Sequence, residues 1–199
     1  MKDEIARIFE DSARVKQRFA VENAELVEEV VVLIADCFTR GNKLLLFGNG
    51  GSATDASHIA GEFVNRFLLE RPGLPAIALN TDVAVITSIS NDYDYSEIFA
   101  KQLKALGQEG DVAIGFSTSG SSPNVVKAFA AAKDMGIKTV ALTGSKNKGG
   151  KLAAVADYAF VVPSPDTPRI QETHITLGHV ICQLVDERLF GRARGKVHG

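Results

Sequence analysis

The chain reads as an α/β protein, a doubly wound, five-stranded parallel sheet with two extra N-terminal helices ahead of it. Three observations predict this. Short, continuous apolar runs rich in Val, Ile, Leu and Ala recur from Lys43 onward, as strands buried on both faces of a parallel sheet require. Segments of helical periodicity separate them, so the rhythm is strand, loop, helix, repeated. The most unusual composition falls in the loops after the first and third runs, and doubly wound sheets bind ligands beyond the carboxyl ends of their strands.

Taken in order, residues 3–20 place Ile5, Ile8, Phe9, Ser12, Val15 and Phe19 at helical spacing with charges between. A second amphipathic helix over 23–40 carries Leu26, Val27, Val30, Val31, Ile34, Cys37 and Phe38, and Gly41-Asn42 stops it. One sheet does not need both helices for cover, so residues 1–40 are expected to supply an oligomer interface. Strands are predicted at 43–47, 75–79, 111–116, 138–142 and 158–162. Helices are predicted at 52–69, near 82–90 and 95–106, at 123–135 and at 168–189. The polar segment 145–153 has room for a short helix only. Residues 191–199 form a small basic tail, expected to fray. The whole of 1–199 is expected to be one domain.

Composition narrows the class. At 199 residues the chain supports one substantial core, and 45% apolar with 23% charged residues is ordinary for a soluble globular protein. A net charge of −2 gives no basic stripe for nucleic acid, and no run reaches the roughly 18 apolar residues of a membrane span. Met1-Lys2-Asp3-Glu4-Ile5 lacks the pattern of a secretory leader, and Cys37 and Cys182 sit in apolar helical contexts as buried, reduced thiols would. Both point to a cytoplasmic protein without nucleic-acid or membrane partners.

The two loops carry the chemistry. Lys43-Leu44-Leu45-Leu46-Phe47 leads into Gly48-Asn49-Gly50-Gly51-Ser52 and then a helix, which sets free backbone N–H groups and a positive dipole end before a ligand. The glycines fit the dinucleotide fingerprint, but the acidic residue it wants about 20 residues on, at the end of the second strand, is missing. No Gly-Lys-Ser/Thr follows, so this is no nucleotide P-loop either. The second loop, Ser117-Thr118-Ser119-Gly120-Ser121-Ser122-Pro123-Asn124, runs into a helix with Ser122 at the N-cap and Pro123 at the first helical position. Five hydroxyls around a glycine, with first-turn amides, make a neutral phosphate cradle.

His58 and Glu62 are four residues apart and project from one face of their helix. In the last helix, Gln171 and His179 are eight residues apart, about two turns, and look toward one region. His174, about 60° from Gln171 on the other side, could also approach it. Two imidazoles, a carboxylate and an amide form an N/O set suited to zinc or a similar divalent ion, and the amide points to an exchangeable metal.

The run GNGGSATDASHIAGE, the loop STSGSSPN, the pair Asn91-Asp92 and the run RIQETHITLGH resemble the phosphoheptose isomerases, a family of sugar isomerase (SIS) domain proteins with a flavodoxin-like sandwich. The likeness covers nearly the whole chain. It implies a cytoplasmic homotetramer with sites shared between subunits, converting sedoheptulose 7-phosphate to D-glycero-D-manno-heptose 7-phosphate on the way to bacterial surface heptoses. By position, it implies that Asn49, Gly50, Gly51 and Ser52 hold the sugar chain and that Asn91 and Asp92 contact its hydroxyls. Ser117, Thr118, Ser119 and Ser122 would bind the phosphate, with Glu62 and Gln171 also on the substrate. One Zn2+ per subunit would sit on His58, Glu62, Gln171 and His179, and Glu62 and His179 would be the acid–base pair.

The chemistry asks for such groups on its own account. Ketose–aldose interconversion moves a proton between C1 and C2 through an enediol, so it needs a base, an acid and positive charge against the enediolate. Metal ligation weakens a carboxylate as a base, and the sequence leaves the first abstraction open between Glu62 and His179. Two other readings stand beside this one. One is an isomerase of another sugar phosphate. The other is a non-catalytic SIS protein that binds the replication initiator, which RPGLPAIALNTD resembles but in which the counterpart of Glu62 is replaced.

Overall fold

A computed structural model describes residues 1–191, so the expected fraying of the 191–199 tail lies outside the described residues beyond Gly191. Five parallel strands, β1 (Leu44–Gly48), β2 (Ala76–Ala78), β3 (Val112–Ser117), β4 (Lys138–Gly144) and β5 (Tyr158–Val162), form one sheet in the order β2-β1-β3-β4-β5. The sheet winds outward in both directions from the β1–β3 pair, where Phe47 lies opposite Gly115 and Gly48 opposite Phe116. That pair is the topological switch point, where successive loops leave adjacent strands toward opposite faces and open a crevice.

Alternation along the strands builds two cores. Leu44, Leu46, Val112, Ile114, Phe116, Val140 and Leu142 face α1 (Lys2–Thr39), α2 (Gly51–Val64) and α7 (Thr167–Phe190). Leu45, Phe47, Ala113 and Ala141 face α4 (Ile98–Leu106), α5 (Pro123–Asp134) and α6 (Gly150–Val155). Helix α3 (Val83–Asp92), which buries none of its side chains, and a 3-10 turn at Tyr95–Glu97 lead into α4. The polar 145–153 segment is a 3-10 turn, Lys146–Gly149, running into α6. None of the described helices is long and apolar enough to cross a membrane.

The amino edge of the sheet is locked by buried charge. Asp111, fully buried, accepts from Lys43 Nζ (2.7 Å), the Lys43 amide (3.0 Å) and the Gln108 amide (2.9 Å), fixing β3 against β1. Asp157 holds Thr139 through its amide and hydroxyl, and those bonds bring its carboxyl below the usual carboxylate range against the opposing effect of burial. The opposite, carboxyl edge carries the loops.

The leading segment differs from the sequence reading. Instead of two helices at 3–20 and 23–40, one uninterrupted helix, α1, runs from Lys2 to Thr39, about 57 Å. The apolar stripe lapses over Ala20-Val21-Glu22-Asn23, but nothing there breaks a helix, and the Asn23 amide donates to the Phe19 carbonyl one turn back. The stop at Gly41-Asn42 is as expected. Gly41 takes φ +78°, its amide donates to the Phe38 carbonyl and the Asn42 amide to that of Cys37, which is a Schellman closure. Both cysteines are free and buried, and burial pushes the Cys37 thiol up to about 12.

Candidate functional site

Helices α2 and α7 run side by side and parallel. A Cβ on Gly178 would strike Ile59, so this glycine lets the two helices approach closely, while Gly51 leaves room for the Gln171 side-chain amide. This register brings His58 of α2 opposite His179 of α7, with the two Nε2 atoms 3.0 Å apart. His58 Nε2 lies 3.1 Å from Glu62 Oε1, one turn further along α2. Phe67 stacks on the outer face of His179, with ring centroids 5.4 Å apart and planes inclined by 20°. One ligand atom from each of His58, Glu62 and His179 lies within 4.8 Å of the others. Two ligands of a tetrahedral zinc ion stand about 3.3 Å apart, so this trio fits such an ion with little movement.

The fourth expected ligand lies elsewhere in this conformation. The Gln171 amide rests against Gly51, which precedes His58 by seven residues, roughly 10 Å along α2. It therefore faces the glycine loop, where it can serve a ligand lying along the start of α2. His174 does not join the cluster at all. It is fully buried on the inner face of α7, where its Nε2–H donates to the Thr143 carbonyl at 3.2 Å. Burial holds its imidazole down at about 4, so it is neutral at pH 7.

Both loops end at helices whose positive ends are left open. Neither α2 nor α5 has an acidic residue in its first turn, and in neither does the N-cap residue's side chain bond a first-turn amide. Ser122 stands at the N-cap of α5 as expected, but its hydroxyl pairs with that of Ser117 at 2.9 Å instead of capping an amide. Ser117 and Ser119 hydroxyls are 3.5 Å apart, and Ser119 Oγ accepts the Ser121 amide at 3.2 Å. Gly120, at φ +63°, packs so tightly on the Gly149 carbonyl that no side chain fits, and its own carbonyl accepts the Leu152 amide. The hydroxyl loop is thus braced from behind by the start of α6. Lys127, one turn into α5, is tied to Ser96 and Glu97, so the cradle relies on neutral donors.

Two residues outside the sequence expectations join the loops. The Asn124 and Asn49 amides exchange hydrogen bonds (2.9 and 2.8 Å), and Asn124 Oδ1 also takes the Val125 amide. Tyr95 donates its hydroxyl to Asn49 Oδ1 at 2.9 Å. Asn91 and Asp92, expected at the site, are exposed at the end of α3 and bonded to each other, while Tyr95 three residues on makes the contact to the glycine loop. Asp55, one turn before His58, is half-buried with its Oδ2 unpartnered among the described residues. Burial lifts its carboxyl above the usual range, and His58 pulls the other way.

The SIS domain family matches residues 8–144 of the chain. A phosphoheptose isomerase from Thermodesulfovibrio yellowstonii is 64% identical over 190 residues, covering 96% of this chain and 94% of the relative. One from Aquifex aeolicus is 51% identical over 193 residues, covering 97% of this chain and all of the relative. Among solved structures, a phosphoheptose isomerase from Neisseria gonorrhoeae superposes with a TM-score of 0.87 at 41% identity, over 94% of this chain and 98% of that one.

The hydroxyl loop predicts its own test. Replacing Ser119 and Ser122 together by Ala removes two charge-assisted donors of about 1.5–3 kcal/mol each, so inorganic phosphate should bind at least tenfold more weakly while thermal unfolding is little changed. Calorimetric titration reads this, and an unchanged affinity would put the anion elsewhere.

Proposed function

Because the chain belongs to the phosphoheptose isomerase family of SIS-domain proteins, whose members are aldose–ketose isomerases, we propose that it interconverts sedoheptulose 7-phosphate and D-glycero-D-manno-heptose 7-phosphate through an enediol. The observation that carries this reading is the trio His58, Glu62 and His179, a carboxylate and two imidazoles within hydrogen-bonding reach, the first two on the helix that begins at the glycine loop and the third on α7. A phosphate held by Ser117, Thr118, Ser119, Ser122 and the amides of α5 sits at one end of the substrate. The sugar chain then lies along Asn49, Gly50, Gly51 and Ser52, with Asn91, Asp92 and Gln171 on its hydroxyls. Asn49 is the hinge of this arrangement, since Asn124 and Tyr95 both hold it.

At the reacting end, Glu62 takes the proton from C1 of the ketose while His179 gives one to the C2 oxygen. Return of a proton to C2 and loss of one from the C1 hydroxyl complete the aldose. Phe67, stacked on His179, holds the ring's orientation and shields that face from water. Zn2+, one per subunit, is the ion we assign to this trio; His58, Glu62 and His179 would hold it, with Gln171 as the fourth ligand. When bound it supplies positive charge against the developing enediolate.

We place this reaction in the cytoplasm and in a homotetramer. Along α1, Ile5, Ile8, Phe9 (74% exposed) and Val21 (84% exposed) present apolar surface to solvent among the described residues. An apolar groove of about 290 Å³ opens between α1 and α7, lined by Phe19, Ala20, Val27, Leu177, Val180 and Leu184. Sedimentation at micromolar concentration should give a four-chain species, and a stable monomer would refute the assembly.

The chemical test is a pair of variants assayed with sedoheptulose 7-phosphate. Glu62→Gln keeps the size and a ligand oxygen but loses the basicity, so kcat should fall about 10²–10⁴-fold with KM little changed. His179→Gln should lose rate and also zinc affinity, because imidazole is the stronger ligand. Near-normal turnover by Glu62→Gln would move the base to His179. Wild-type protein inert on every sugar phosphate with zinc supplied would contradict the isomerase reading and favour a binding role.

A further inference from the structure

The last turn of α2 is held by one guanidinium. Helix carbonyls at a C-terminus have no intrahelical partner, and those of α2 lie among buried groups such as Phe63. The end is not closed by a left-handed glycine, since Asn65 follows at φ −87°. Instead Arg71 reaches back from the extended segment after the helix. Its Nη2 donates to the Glu62 carbonyl at 2.9 Å, and its Nη1 to those of Phe63 (2.7 Å), Asn65 (3.2 Å) and Pro72 (3.1 Å). The Leu74 amide adds a second donor to the Phe63 carbonyl, and Gly73 lies flush on Val64, where a Cβ would meet the backbone. Arg71 Nε donates to Asp186 Oδ1 at 2.9 Å, and the two side chains are 1% and 2% exposed. Asp186 sits on α7, seven residues or about two turns beyond His179.

This one side chain therefore ties the backbone of Glu62 to the helix that carries His179. We propose that Arg71 is a positioning residue for the reaction, setting the depth and rotation of the last turn of α2 so that Glu62 meets His58 and His179. The inference rests on the isomerase reading of the trio. The competing account is plain stability: a buried ion pair that caps a helix, in a run, Arg71-Pro72-Gly73, that also resembles the non-catalytic relative. Two features favour positioning. The bonded carbonyl belongs to Glu62 itself, and a helix's terminal turn is the part least held by its own hydrogen bonds. A cap lost there displaces Glu62 before it displaces His58, one turn inside.

The test separates holding the fold from holding the carboxylate. Removing one partner of a buried pair strands the other charge, whereas apolar replacement of both is often tolerated, so Arg71→Met/Asp186→Leu keeps the core filled while deleting the cap. Expected are cooperative unfolding, KM within about threefold of wild type, and kcat and zinc affinity each down about 10–100-fold, the range for groups that orient a site's ligands. Arg71→Lys, which keeps the charge but not the fork of donors, should fall between the double variant and wild type. A folded double variant with wild-type kcat and zinc affinity, or with KM alone changed, would show that the cap serves stability only. Should the double variant not fold, Arg71→Lys decides: a kcat drop of about tenfold at constant KM supports the proposal, and unchanged kcat overturns it. Wild-type protein that neither turns over sugar phosphate nor binds zinc overturns the reading of the trio, and this inference with it.

Discussion

The close parallel packing of α2 on α7 is the constraint on which the site depends. Close approach of this kind needs a missing side chain, and Gly178 supplies it beneath Ile59, while Gly51 leaves room for the Gln171 amide. With the helices so close, the imidazoles of His58 and His179 come edge to edge at 3.0 Å, although they are 121 residues apart in sequence. A slip of one residue along either helix would turn its imidazole about 100° away from the other. Burial of Ile59, Leu177 and Ile181 in the same core resists that slip.

Around this contact the sheet sorts charge by edge. Two carboxylates, the buried Asp111 and the more exposed Asp157, pin the amino ends of the strands to one another. The carboxyl ends carry glycine, asparagine and serine, and the open N-termini of α2 and α5 converge there. A rigid, ion-paired edge opposite a neutral, donor-rich edge suits a ligand that brings its own negative charge. The reciprocal Asn49–Asn124 amide pair makes the two loops one structure, so whatever binds the hydroxyl loop is registered against the start of α2.

Most of the fold and part of the site were legible in the chain. Strand positions followed from apolar runs, and the two loops from turn and cap residues, because both signals are local. The spacing of His58 and Glu62 was readable for the same reason, a single helix fixing it. Missed features depend on distant neighbours. Nothing near Asn124 or Tyr95 announces bonds to Asn49 across 75 and 46 residues, and nothing in Arg71-Pro72-Gly73 announces a cap on a helix already ended. His174 shares the amphipathic pattern of Gln171 and His179, and only packing shows that it points inward to Thr143. The unbroken α1 was hidden because its apolar stripe pauses over Ala20-Val21-Glu22-Asn23, between the buried Phe19 and Val30, without any residue there that breaks a helix.

The central claim is that a proton, exchangeable with solvent, passes between C1 and C2 on the trio of side chains. Turnover of sedoheptulose 7-phosphate in D2O, followed by proton NMR of the product, tests it most directly. An aldose heptose phosphate carrying deuterium at C2 is the predicted result. Aldose formed without deuterium at C2 would contradict an enediol exchanging with solvent, and no aldose at all, with zinc supplied, would contradict the account.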